Sequence, residues 1–153
     1  MARQVHLIVV GKLKDIHLEA IEADYLKRIN NPELIIHELK ASAENKEAEG
    51  EVILKKVREL SQGSCAHMVC MTEWGKRTTS VAFAAWCRDL FERQNKVFFV
   101  IAGAEGFSEE VLKNCQERIS LSELTFPHKL ARILLVEQLY RSQTIRAGHP
   151  YHN

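Results

Sequence analysis

The stretch Val97-Phe98-Phe99-Val100-Ile101-Ala102-Gly103-Ala104-Glu105-Gly106 decides how the rest of the chain is read. An unbroken apolar run closed by glycine reads as a buried strand feeding a tight turn. Val5–Val10, closed by Gly11, has the same form, and Leu34–Leu39, Ala66–Met71 and a short segment at Ile119–Leu121 add further strands. Helical patterns alternate with them. Asp15 caps a helix with Leu18, Ile21, Tyr25 and Ile29 at inward spacing, and Asn30-Asn31-Pro32 stops it. Residues 44–61 form a charged helix with Ile53, Val57 and Leu60 inward, and Ser80–Arg93 one with Phe83, Trp86, Cys87 and Leu90 on a face. Ser108 caps a helix carrying Glu109 and Glu110 in its first turn, where the helix dipole favours acids. A final helix covers about Lys129–Arg146. Strand alternating with helix predicts an α/β fold: an open, mostly parallel sheet with helices on both faces, residues 1–153 forming one domain.

Composition narrows the classes. The 153 residues are 46% hydrophobic and 27% charged, ample for one core, and the net charge of +1 argues against a globally basic nucleic-acid binder. The charge is unevenly spread. Pro127–Asn153 holds Lys129, Arg132, Arg141 and Arg146 with three histidines against the single acid Glu137, which allows either a localised basic face or an ordinary solvated helix surface. Cys65, Cys70, Cys87 and Cys115 form no Cys-x-x-Cys pair and no zinc spacing, so no metal site is expected. Small buried thiols suit a reducing cytosol. Met1-Ala2-Arg3 leads into a strand rather than a signal peptide, and no run approaches the roughly 18 apolar residues that span a membrane. A cytoplasmic protein without membrane contact is expected.

In open α/β sheets ligands bind outside the carboxyl ends of the strands. Here those ends are Met71-Thr72, Ala102-Gly103 and Leu121-Ser122. Gly103-Ala104-Glu105-Gly106 is not a dinucleotide fingerprint, which follows the first strand of such a sheet. Taken alone it is a tight turn, or a place where backbone closely approaches a ligand or another part of the chain. Glu137 and Arg141 stand four apart, either a weak helix-surface pair or an arginine held for a phosphate or a base carbonyl. The end, Gly148-His149-Pro150-Tyr151-His152-Asn153, is unusual for a terminus that frays.

Ile101–Gly106, Leu121–Leu130 with its Thr125-Phe126-Pro127-His128, Val136–Arg141 and His149–His152 together resemble the ribosomal large subunit pseudouridine methyltransferase H family of the SPOUT superfamily. The resemblance runs end to end, from Leu7–Gly11 through Gly75-Lys76 to the tail. It implies a C-terminal trefoil knot and a homodimer. It implies S-adenosylmethionine held without metal by Met71 or Thr72, Gly103, and Ser122, Glu123, Leu124, Thr125, Phe126 and Pro127. It further implies a substrate side built from Arg141, Tyr151 and His152 with His128 near the cofactor segment, and methyl transfer to N3 of a pseudouridine in 23S rRNA on the ribosome. His152, His128 or water would take the proton. The family's usual Thr-Leu-acid run is here Cys70-Met71-Thr72, which shifts the acid to Glu73. A related enzyme acting on transfer RNA, and a non-catalytic RNA-binding protein of the same fold, are the alternatives.

Overall fold

The computed structural model describes residues 2–43 and 45–153. Met1, and the expected helix start at Glu44, lie outside the described residues. Strands β1 (Gln4–Val10), β2 (Glu33–Leu39), β3 (His67–Arg77), β4 (Val97–Ile101) and β5 (Glu117–Ser120) alternate with helices α1 (Ile16–Arg28), α2 (Lys46–Ser61), α3 (Ser80–Arg93), α4 (Glu109–Asn114) and α5 (His128–Arg146). The five strands form one sheet in the order β2-β1-β4-β3-β5, parallel throughout. The expected α/β architecture is therefore present.

Every residue of β4 is buried, because the strand lies mid-sheet with helices on both sides. Its side chains alternate by strand periodicity. Val97, Phe99 and Ile101 join Val5, Leu7 and Val9 under α1, α3 and α5. Phe98 and Val100 join Ile8, Val10, Met68 and Cys70 under α2 and α4. The caps follow their sequence signals. Asp15 Oδ1 accepts from the amides of His17 and Leu18 at 2.9 and 3.0 Å, and Ser108 Oγ from that of Val111 at 3.3 Å. Cys70 and Cys87 are fully buried, and burial pushes the Cys87 thiol up to about 12, so neither is a nucleophile at neutral pH.

Three expectations change. Ile21, expected inward, is 45% exposed, and Glu22 occupies the buried face of α1 instead. The cause is Arg132 on α5, whose guanidinium donates to Glu22 at 2.6 and 2.7 Å and to Glu38 at 2.7 Å. Burial works hardest against the Arg132 charge, but the two acids together outweigh it and raise its pKa. Such a buried network is weak evidence for net stability, but removing one partner would leave an uncompensated buried charge between α5, α1 and β2. Strand β3 does not end at Met71 but continues to Arg77 through a bulge, since Met71 and Lys76 both stand opposite Ile119. Finally, the localised basic face that Pro127–Asn153 allowed is largely absent. Arg132 is buried, Arg141 is paired with Glu137, and Arg146 folds inward over Phe91 to donate to the carbonyl of Asn31.

On the α2 face, His6 Nδ1 and His37 Nε2 lie 2.9 Å apart, with His6 stacked on Phe98. Burial, then His37 and Lys96, push His6 down to about 4; burial and Lys56 also lower His37. An unfolded histidine titrates near about 6.5, so between about 6.5 and 4 the unfolded chain binds protons that the native chain refuses. Stability should therefore fall as pH drops through that window, by up to roughly 3 kcal/mol for His6 at about 1.4 kcal/mol per unit. Urea midpoints at pH 7 and pH 4.5 check this. His6→Phe should shrink the difference between them, and an unchanged difference would rule out the pair as its source.

Candidate active site

A cleft of about 510 Å³ opens at the carboxyl ends of β3, β4 and β5. Its walls are the bulged end of β3 (Met71, Thr72, Glu73, Trp74), the loop after β4 (Ala102–Phe107), and the segment between β5 and α5 (Leu121, Ser122, Leu124, Thr125, Phe126), with His128 and Ala131 from α5. The volume lies within the roughly 300–1,000 Å³ of small-molecule sites.

The glycine at the head of the loop is there for close approach. A Cβ on Gly103 would come within 2.9 Å of Glu49 Oε1 and 3.3 Å of Val10 Cγ1. Glu49 is buried beneath the loop, its Oε2 accepting the Ser42 amide at 3.0 Å. Gly106 has φ of +79°, a conformation that favours glycine, and its amide closes the turn onto the carbonyl of Gly103 at 3.1 Å. On the opposite wall Ser122 Oγ accepts the Leu124 amide at 3.0 Å, and Thr125 Oγ1 donates to Glu73 Oε2 at 2.7 Å. Glu73 thus sits in the cleft wall tied to Thr125.

Of the residues expected around the cofactor, Met71, Thr72, Gly103, Ser122, Leu124, Thr125 and Phe126 line the cleft, as does His128. Glu123 and Pro127 do not. Glu123 turns outward to pair with Arg77 at 3.0 Å, and Pro127 occupies the N-cap position of α5. Phe107, Leu112 and Arg118 also line the cleft. Sequence reading passed over them because their patterns are those of a helix face and a strand edge. The chemistry of the walls suits S-adenosylmethionine. Turn backbone offers N–H and C=O groups to an adenine edge, Leu124 and Phe126 offer apolar faces, and Glu73 and Glu105 offer carboxylates to a cation.

Arg141, Tyr151 and His152 come together elsewhere. Arg141 lies thirteen residues beyond His128 on α5, roughly 20 Å along the axis at about 1.5 Å per residue. Glu137 organises the group, a role its helix-pair spacing only hinted at. Its Oε1 accepts from Arg141 Nε at 2.9 Å and Nη2 at 2.8 Å, and from the Tyr151 hydroxyl at 3.1 Å. The Glu137 hydrogen bond is the main reason the Arg141 pKa is raised. The Tyr151 ring meets Tyr140 edge-on at 4.8 Å with the Arg141 guanidinium above it, and burial, followed by the hydrogen bonds to Tyr25 and Glu137, pushes its phenol pKa up. The tail is therefore docked on α5.

Arg141 Nη1 lies 2.9 Å from His152 Nδ1. A guanidinium only donates, so Nδ1 must be the acceptor and Nε2 carries the proton of the neutral ring. In that tautomer His152 presents a hydrogen-bond donor to whatever lies beyond it. Among the described residues no three His, Cys, Asp or Glu side chains converge as metal ligands, and no helix is long and apolar enough to cross a membrane.

Comparison with known proteins agrees with this architecture. The family described as "Predicted SPOUT methyltransferase" matches residues 3–152. The protein named ribosomal RNA large subunit methyltransferase H of Oleidesulfovibrio alaskensis is 36% identical over 156 residues, covering 99% of each chain. Its namesake in Coprothermobacter proteolyticus is 39% identical, covering 97% of this chain and 99% of its own. The SpoU methyltransferase AviRb of Streptomyces viridochromogenes, solved in complex with AdoMet, superimposes with a TM-score of 0.54 at 10% identity. That match covers 94% of this chain and 59% of AviRb, and speaks for the fold alone. A parallel sheet with a loop-built cleft at its carboxyl edge, matched nearly end to end by these relatives, makes the chain a member of the ribosomal RNA large subunit methyltransferase H family of SPOUT proteins.

Proposed function

We propose that this chain methylates 23S rRNA at N3 of a pseudouridine, using S-adenosylmethionine, as a knotted homodimer acting on the assembled ribosome in the cytoplasm. The observation that carries the reading is the cleft at the carboxyl ends of β3, β4 and β5, walled by backbone-rich loops, in a chain of this family. Bound there, S-adenosylmethionine supplies an activated methyl group that needs no metal. The loops after β4 and β5 hold and orient it, and Glu73 and Glu105 lie where a positive charge is favoured.

The remaining chemistry is recognition of the base and loss of its N3 proton. Arg141 is fixed by Glu137 and can stabilise negative charge developing on the carbonyls flanking N3. With Nδ1 occupied, His152 serves as a donor to such a carbonyl rather than as the proton acceptor, which leaves His128, in the cleft, or water for that role. Within one chain roughly 20 Å of helix separates His128 from Arg141, which favours a base held between two chains. A second copy that brings its own Arg141 group to this cleft supplies both halves. Leu130 and Leu134, exposed one turn apart on α5, offer apolar surface for that contact.

Incubating the protein with labelled S-adenosylmethionine and ribosomes from a strain that lacks it should place label in 23S rRNA. Nucleoside digestion should return it as N3-methylpseudouridine. Label in transfer RNA instead would move the activity to another substrate, and no transfer to either pool would favour a non-catalytic RNA-binding role.

A further inference from the structure

The bulge in β3 aims one side chain where none of the described residues covers it. Residues 72–75 loop outward between Met71 and Lys76, the two residues that share Ile119 as partner. Gly75 allows it: a Cβ there would stand 2.6 Å from the Ile119 amide nitrogen, so the bulge presses directly on the β5 backbone. The segment is pinned on both flanks, by Thr125 to Glu73 at 2.7 Å and by Arg77 to Glu123 at 3.0 Å. Between the pins, on the cleft wall, Trp74 is 87% exposed. The chain's other tryptophan, Trp86, lies against Phe83 and Phe99 and donates to Glu117 at 2.9 Å.

A covered indole buries about 150–250 Å², so a pinned bulge that presents one to water is built to meet a partner. The surroundings indicate which kind. Lys76 and Arg118 are exposed beside it; of the acids nearby, Glu123 is paired with Arg77, while Glu73, which accepts from Thr125, and Glu105 face the cleft where the sulfonium would lie. An aromatic face flanked by exposed cations is the arrangement that stacks a base while holding its phosphates. Contact cores between protein copies also favour tryptophan and arginine but are depleted of lysine, so Lys76 is the residue that favours a nucleic acid.

We propose that Trp74 stacks on a nucleobase of the RNA at the mouth of the cleft. That the partner is RNA rests on the methyltransferase reading above; the exposed, pinned indole does not. Two measurements test it. In a Trp86→Phe protein Trp74 is the only tryptophan, and oligouridylate should quench its fluorescence saturably. Separately, Trp74→Ala should raise KM for ribosomes by roughly 5- to 100-fold. Trp74→Phe should recover most of the loss, because a smaller aromatic face still stacks. An unquenched Trp74 together with unchanged KM overturns the proposal. So does a Trp74→Ala protein that loses S-adenosylmethionine affinity, which would make Trp74 a cofactor residue. A Trp74→Ala protein that falls from dimer to monomer would make it a contact between copies and overturn it equally. Quenching by oligouridylate in a protein that methylates no RNA would support the stacking role and refute the methyltransferase reading, so the two fail separately.

Discussion

Mixing Arg141→Ala protein with Gly103→Val protein should restore methyl transfer that neither supports alone. The first retains an intact cleft and lacks the guanidinium that Glu137 orients; the second retains the Arg141 group and has a damaged cleft. In a two-fold dimer whose sites each join one cleft to the other chain's Arg141 group, a mixed dimer has one complete site. After full exchange of an equal mixture, about a quarter of all sites are whole, so about a quarter of wild-type activity should return. Arg141→Ala is a cleaner choice than removing residues 149–153. Tyr151 packs on Tyr140 and reaches Tyr25, so truncation would also uncover part of the core. Transfer assays on ribosomes, with exchange verified by native mass spectrometry, decide the matter. No recovery after exchange would mean that each chain completes its own site.

Gly103→Val alone should lower S-adenosylmethionine affinity by at least about 100-fold, equivalent to about 2.7 kcal/mol, read by calorimetry. The reason lies beneath the loop rather than in the cleft. A side chain at 103 meets the Glu49 carboxylate and Val10, and Glu49 cannot simply swing aside because it is buried with one oxygen on the Ser42 amide. The loop would then have to rise into the space the ligand needs. Gly103→Ala should have a smaller effect through the same contact, and adding Glu49→Ala should recover part of it, because the two positions couple only through that clash. Undiminished affinity in Gly103→Val would take this loop out of the site. No recovery in the double variant would instead mean that the glycine faces the ligand directly.

Much of the candidate site was legible because its parts are local. Gly103–Gly106 after an apolar run marks a turn at a strand's carboxyl end, and Ser122–Phe126 stands at the next such end, so both walls of the cleft follow from chain order and a parallel sheet. Trp74 and Glu73 were less visible. A strand pattern read up to Met71 gives no sign that four further residues bulge over the cleft, since that depends on how β5 meets Gly75. Glu123 turned away for a similar reason: its partner Arg77 sits on the extension of β3 that the pattern did not include.

What the sequence determined by itself is what neighbours within a few residues control. The order of strands and helices, the caps at Asp15 and Ser108, and the burial of β4 on both faces all follow from short-range periodicity and capping chemistry. The tertiary structure alone decided which face of α1 turns inward. Hydrophobic spacing favours Ile21, but Arg132, 110 residues beyond Glu22, needs a buried carboxylate and draws Glu22 in instead. It alone decided the strand order, the acid under Gly103, and the separation of the cleft from the Arg141 group along α5. Each of these depends on a contact between segments distant in sequence, and no local propensity encodes the partner at the other end.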